Sequence, residues 1–115
     1  MNNKDKLYNY TFKGIYDLYV KKVERKERTK EELNKVIAWL TGYGENNLEN
    51  IESDITLKEF FKNAPNMNPN ANLIKGIICG CRVEEIEDPL TQKIRWMDKI
   101  VDELAKGKKI EKILR

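Results

Sequence analysis

Cys79 and Cys81, one glycine apart, are the chain's two thiols and the first place to look for chemistry. Thiolates are nucleophiles and soft metal ligands, and a close pair can chelate. A zinc site takes four ligands, commonly as two spaced pairs, yet the sequence offers no further cysteine and no histidine. Without imidazole there is no Ser-His or Cys-His dyad, and no side chain titrates near neutral pH in an ordinary environment. The flanking Ile77-Ile78 and Val83 make the cysteines read as small buried apolar residues, and Cα geometry disfavours a disulfide between them.

A second candidate is Arg82-Val83-Glu84-Glu85-Ile86-Glu87-Asp88, with four carboxylates that could serve a magnesium ion or an acid/base pair. Neighbouring carboxylates do not face the same way on a helix and the calcium-loop pattern is missing, so these read as solvated charge. Polar contacts to a small molecule can come from the amide-rich loop Asn66-Met67-Asn68-Pro69-Asn70 together with Arg82 and Arg95. Trp39 and Trp96 fall at the margins of apolar stripes, where tryptophan serves either a core edge or an interface. Asn68, Asn70, Arg82, Arg95 and Trp96 are therefore the candidate ligand or partner contacts. No catalytic set, metal site or cofactor site emerges.

Charge is sorted along the chain. Lys21 to Lys30 holds six basic residues and Lys106 to Arg115 holds five, while Glu45 to Asp54 and Glu84 to Asp88 are purely acidic. Such a pattern can steer a protein partner or a second copy, or hold a nucleic-acid backbone; basic residues at a helix C-terminus are also ordinary dipole complements. The net charge of +3 gives little push toward nucleic acid or anionic lipid. With 115 residues, 40% hydrophobic and 36% charged, the chain is expected to form a single domain over 1–115 with its own core. The polar start and the lack of a membrane-length apolar run point to the cytoplasm.

The elements that must position these residues are helical. Phe12, Ile15, Tyr16, Tyr19, Val20 and Val23 fall on one helix face. Thr29 with Glu32, and Thr56 with Glu59, form capping boxes ahead of Leu33-Val36-Ile37-Leu40 and Leu57-Phe60-Phe61. Gly42 stops the first of these helices and Pro65 limits the second. Glu45 to Asp54 reads as a short helix or helical turn. Asp88-Pro89 starts a long helix with the stripe Leu90, Ile94, Met97, Ile100, Val101 and Leu104; Gly107 ends it, and Ile110, Ile113 and Leu114 dock a final segment.

Between them, Asn63 to Cys81 contains one charged residue, Lys75. This stretch is expected to form the packed centre, with a helix capped by Asn70 or Asn72 on which Gly76 and Gly80 open one side to the long helix. The rival reading is a buried strand over 77–83. The fold expectation is all-α, a compact bundle of roughly five or six helices with a long C-terminal helix. The alternative is a small α+β domain with a short strand pair, should Tyr8 to Phe12 extend.

Trp39-Leu40-Thr41-Gly42-Tyr43, Asn68-Pro69-Asn70, Cys79-Gly80 with Arg82-Val83-Glu84, Asp88-Pro89-Leu90, and Asp102 to Lys108 with Glu111 to Arg115 resemble a family of small bacterial proteins. It is the domain-of-unknown-function family numbered 2200. The resemblance spans nearly the whole chain and implies a stand-alone bacterial cytoplasmic protein, with no catalytic or binding residues to carry over. The functional expectation is a non-enzymatic protein-interaction module whose partner is an unknown protein or a second copy of itself. The alternatives are a nucleic-acid-binding domain, reading Thr56 to Ala64 and the helix from Asn70 as helix-turn-helix, and a small-molecule binder with its pocket near the Asn-rich loop.

Overall fold

The computed structural model describes residues 3–115, with side chains from residue 6 onward. Six α-helices follow in order: α1 (Asn3–Tyr8), α2 (Phe12–Arg25), α3 (Lys30–Thr41), α4 (Leu57–Lys62), α5 (Pro89–Ala105) and α6 (Ile110–Ile113). Between α4 and α5 lies one antiparallel pair of two-residue strands, β1 (Ile77–Ile78) and β2 (Cys81–Arg82), in register Ile77↔Arg82 and Ile78↔Cys81. Short 3-10 turns at Leu48–Asn50, Pro69–Leu73 and Val83–Glu85 complete the path. The fold is a helical bundle with a strand pair as its one sheet among the described residues.

Each principal helix begins where a side chain can take up its free amide donors. The Thr11 hydroxyl accepts from Gly14 N at 3.2 Å, and the Asp88 carboxylate accepts from Thr91 N at 2.9 Å. Both expected capping boxes form, at Thr29 with Glu32 and at Thr56 with Glu59. Gly42 ends α3 in the left-handed region at φ 82°, its N–H returning to Ala38 O at 2.8 Å.

The central element is α5, which packs against α2, α3 and α4. Ile94, Met97, Ile100, Val101 and Leu104 are buried along it, facing Leu33, Val36, Ile37 and Leu40 of α3 and Phe12, Tyr16, Tyr19 and Val23 of α2 in one apolar cluster. Each fully buried aliphatic side chain contributes about 1.5–3 kcal/mol relative to exposure. Phe60 of α4 stacks on Phe12 with ring centroids 4.0 Å apart and on Tyr43 at 4.7 Å, tying α4 to the start of α2.

The uncharged stretch 63–81 is not the packed centre. Asn66 N donates to Thr41 O at 3.1 Å and Asn68 N to Leu40 O at 2.9 Å, so the backbone is laid along the end of α3. Asn68 then caps a five-residue 3-10 turn, not an α-helix; Ala71 and Ile74 are fully buried, and Met67 and Ile78 pack half-buried against the core. Cys79 (φ 51°) and Gly80 (φ 79°) both adopt left-handed backbone between the paired residues Ile78 and Cys81, the two-residue turn of a tight hairpin. Ile77 is 56% exposed and both cysteines are exposed, which corrects the expectation of buried thiols. Of the rival reading, a buried strand over 77–83, the structure holds two short strands at 77–78 and 81–82, exposed except for the half-buried Ile78.

Lack of charge misled because asparagine amides and a hairpin turn satisfy water as well as charges do. Gly76 and Gly80 do not share a helix side: Gly76 turns the chain at φ 115°, where a Cβ would lie 3.1 Å from Lys99 Cε of α5, and a Cβ on Gly80 would face open space. The five-residue 3-10 turn also stands where a recognition helix would be required, so helix-turn-helix geometry is absent. Tyr8 ends α1, and the extended backbone expected over 8–12 reduces to one bridge, Thr11 with Thr56.

Candidate functional site

The five candidate contacts are distributed over different surfaces. Asn68 donates to Trp39 O at 3.2 Å and accepts from Asn70 N at 2.8 Å; Asn70 donates to Arg115 O at 3.1 Å. Both amides brace backbone. Arg82 is exposed on β2. Trp96 is half-buried on α5, and its indole N–H is enclosed without a hydrogen-bond partner among the described residues. Arg95 is the one of the five that lines the cavity between α2 and α5.

That cavity, about 300 Å³, has apolar walls from Leu7, Tyr10, Ile15 and Ile78. On its polar side the buried Tyr19 hydroxyl donates to Asp98 Oδ1, and Arg95 donates to Asp98 Oδ2 at 2.9 Å. Arg95 also reaches Cys79 Sγ at 3.3 Å. Burial, then the Asp98 charge, pushes the Tyr19 hydroxyl well above the usual phenol range, so it remains a neutral donor. With both Asp98 oxygens engaged, the carboxylate is held as a structural acceptor and is not presented as a base. The cavity floor is a closed polar network beneath apolar walls.

Tyr10 and Ile15 also line an adjoining shallow depression of about 540 Å³ with Thr11, Gly14 and Leu18. Leu18 is 61% exposed and Tyr10 43%, two of the four large apolar residues most open to water among those described. Gly14 and Leu18 are one helical turn apart on α2, so a side chain stands out at one level and none at the level below. The outer face of α2 therefore presents a knob beside a hollow. Between α3 and α6, Ala38, Trp39, Ile110 and Leu114 line a more open depression of about 700 Å³ rimmed by Lys35, Glu45 and Glu111.

The two basic segments meet in space. Arg28 donates to Leu104 O at 3.3 Å and Lys108 O at 3.0 Å, joining the α2–α3 connection to the end of α5. Part of that positive charge is engaged within the fold: Lys22 and Lys106 pair with Asp102 at 3.2 and 3.0 Å, and Lys108 and Arg115 with Glu103 at 3.4 and 2.7 Å. Within the Glu45 to Asp54 segment, Glu49 pairs with Lys30 at 2.7 Å, which links an acidic segment to a basic one.

A family model described as "Uncharacterized protein conserved in bacteria (DUF2200)" matches residues 6–115. The chain belongs to the DUF2200 family. The crystal structure of uncharacterized protein SP1917 is similar at a TM-score of 0.90 and 44% identity, covering 99% of this chain and 93% of that one. No curated protein matches significantly.

In this DUF2200 chain the segments that carried the resemblance occupy joints of the fold. Tyr43 donates to Phe60 O at 2.6 Å, Asp88 and Pro89 start α5, and Glu103 with Arg115 closes its far end. Among the described residues of this DUF2200 protein no helix is long and apolar enough to cross a membrane. Sequence reasoning missed the α2 face, although Leu18 was its signal: it stands off the buried stripe of Phe12, Tyr16, Tyr19 and Val23, with Gly14 one turn before it.

Proposed function

We propose that this DUF2200 protein is a non-enzymatic interaction module that docks a protein through the outer face of α2. The observation that carries the reading is the contiguous apolar surface of Tyr10, Ile15 and Leu18 around Gly14, adjoining the Leu7 to Ile78 cavity. Clustered exposed apolar side chains of this kind mark interaction surfaces more often than scattered single ones do. The cavity's polar groups are mutually satisfied, which favours burial of apolar side chains over proton transfer. Nucleic-acid binding has less support, because the converging basic segments use part of their charge within the fold.

A photo-crosslinking residue at position 18, in bacterial cells, gives a discrete protein adduct on irradiation, while the same residue at position 73 does not. Leu73 is the control because it is also exposed and lies on another surface. Equal labelling at both positions, or no protein adduct at position 18, refutes the docking face.

A further inference from the structure

We infer that the depression between α3 and α6 is a second docking surface, separate from the α2 face, and that its occupant is a basic segment of a partner protein that seats one apolar side chain against Trp39. Its centre is apolar: Ala38 and Trp39 of α3 meet Ile110 and Leu114 of α6, all four half-buried. A smaller hollow of about 350 Å³ continues it, sharing Lys35, Glu45 and Ile110 and adding Glu31 and Glu32. Alanine next to tryptophan leaves room on the α3 wall, and tryptophan is among the side chains that most often carry binding energy once a partner covers them.

The ionic rim selects the partner. Glu31, Glu32, Glu45 and Glu111 line the two hollows against one amine, Lys35, in a chain whose net charge is +3. Glu32 is engaged by Arg28 at 2.8 Å. Glu31, Glu45 and Glu111 are exposed and make no ion pair among the described residues. On α3, Glu31, Lys35 and Trp39 follow one another at one-turn intervals, so a carboxylate, an amine and the indole stand along one face. On α6, Glu111 borders the depression, whereas its basic neighbour Lys112 does not.

Open carboxylates around an apolar centre attract Lys and Arg side chains, and they repel both the phosphates of nucleic acid and the headgroups of anionic lipid. A cationic side chain can also lie over the Trp39 ring. The open shape suits a chain segment laid across it, since a small-molecule site encloses most of its ligand. Charge and shape therefore agree on a basic peptide segment with an apolar anchor.

The test titrates short synthetic peptides, with leucine or alanine at the centre and either Lys or Glu on the flanks, into the nitrogen-labelled native protein and follows its NMR spectrum. The Lys-flanked leucine peptide shifts the Trp39 indole N–H resonance and leaves that of Trp96, whose indole N–H is enclosed, in place. It binds roughly tenfold more tightly than the Glu-flanked leucine peptide or the Lys-flanked alanine peptide. Glu45→Lys and Glu111→Lys each weaken it about fivefold, and Lys35→Glu, which removes the one amine, strengthens it about as much. The double variant E45K/E111K shifts the preference toward the Glu-flanked peptide. Ala38→Gln fills the hollow without changing a charge and also weakens binding, with circular dichroism confirming that each variant remains folded.

No shift at Trp39 with the Lys-flanked leucine peptide up to millimolar concentration overturns the inference, as does binding that is equal for Lys and Glu flanks or indifferent to Lys35→Glu. A light-scattering mass of two chains that falls to one with Glu111→Lys also overturns it, because the occupant is then a second copy. The crosslink at position 18 can fail while Trp39 responds, and the reverse, so this surface and the α2 face stand or fall separately.

Discussion

Arg115 closes a loop onto Glu103: its guanidinium donates to the two carboxylate oxygens at 2.9 and 2.7 Å. Both side chains are largely buried, and Lys108 completes the site at 3.4 Å. Nη2 makes both contacts while Nη1 donates to Ile113 O at 2.7 Å, so one guanidinium ties α5 to the end of α6, where Ile113 is fully buried. Removing one member of such a pair costs more than the pair contributes, since it strands the other in a poorly hydrated place.

Arg115→Ala is therefore expected to destabilise the protein by about 1–3 kcal/mol, read from urea unfolding. Arg115→Lys recovers part of the loss, keeping the charge without the second nitrogen that donates to Ile113 O. A change within error for the alanine variant would show that the clasp is ornamental and that Ile113 holds α6 alone.

Gly42 and Gly107 both sit at positive φ, 82° and 93°, but their surroundings differ. A Cβ on Gly42 would lie 2.7 Å from Asn66 N and 2.9 Å from Asn66 O, the backbone that docks against α3; at Gly107 nothing lies within 4 Å. Gly107→Ala should cost only the left-handed penalty of about 1–2 kcal/mol. Gly42→Ala adds a backbone clash and should cost clearly more, with thermal midpoints ranking wild type, then Gly107→Ala, then Gly42→Ala. The reverse ranking would mean that the Asn66 strand is loosely held.

Acid sensitivity should trace to Asp102. Burial raises its carboxyl pKa, but Lys106 and Lys22 outweigh that and hold it below the usual carboxylate range. The folded pKa thus lies below the unfolded one, near ~3.9, so the stabilisation is complete above that pH and is lost as pH falls through the folded value. Glu32, hydrogen-bonded by Arg28, shifts in the same direction. Asp102→Asn is expected to be less stable than wild type at pH 7 and to lose the difference on acidification below about pH 4. Parallel stability curves for the two proteins down to strongly acid pH would exclude Asp102 as the sensor.

Local signals were the ones legible in the sequence. Thr29 with Glu32, Thr56 with Glu59, Asp88 before Pro89, and Gly42 each act within one helical turn, so their spacing alone placed the ends of α3, α4 and α5. The buried stripe of α5 was legible for the same reason, because period sets which residues share a face. The candidate site was far less so. Of the five proposed contacts only Arg95 lines the α2–α5 cavity, and its neighbours Tyr19 and Cys79 come from distant parts of the chain.

By itself, the sequence determined the helical class, the main helix boundaries and the caps, since these rest on interactions among residues three or four apart. Tertiary structure alone decided that residues 63–81 clothe the bundle instead of filling it, that the thiols face outward, and that Leu18 stays uncovered beside Gly14. Burial is a competition among all apolar faces for limited interior. α5, α3 and α2 offer long continuous stripes and win it, whereas a segment broken by two prolines and a left-handed turn fully buries only Ala71 and Ile74.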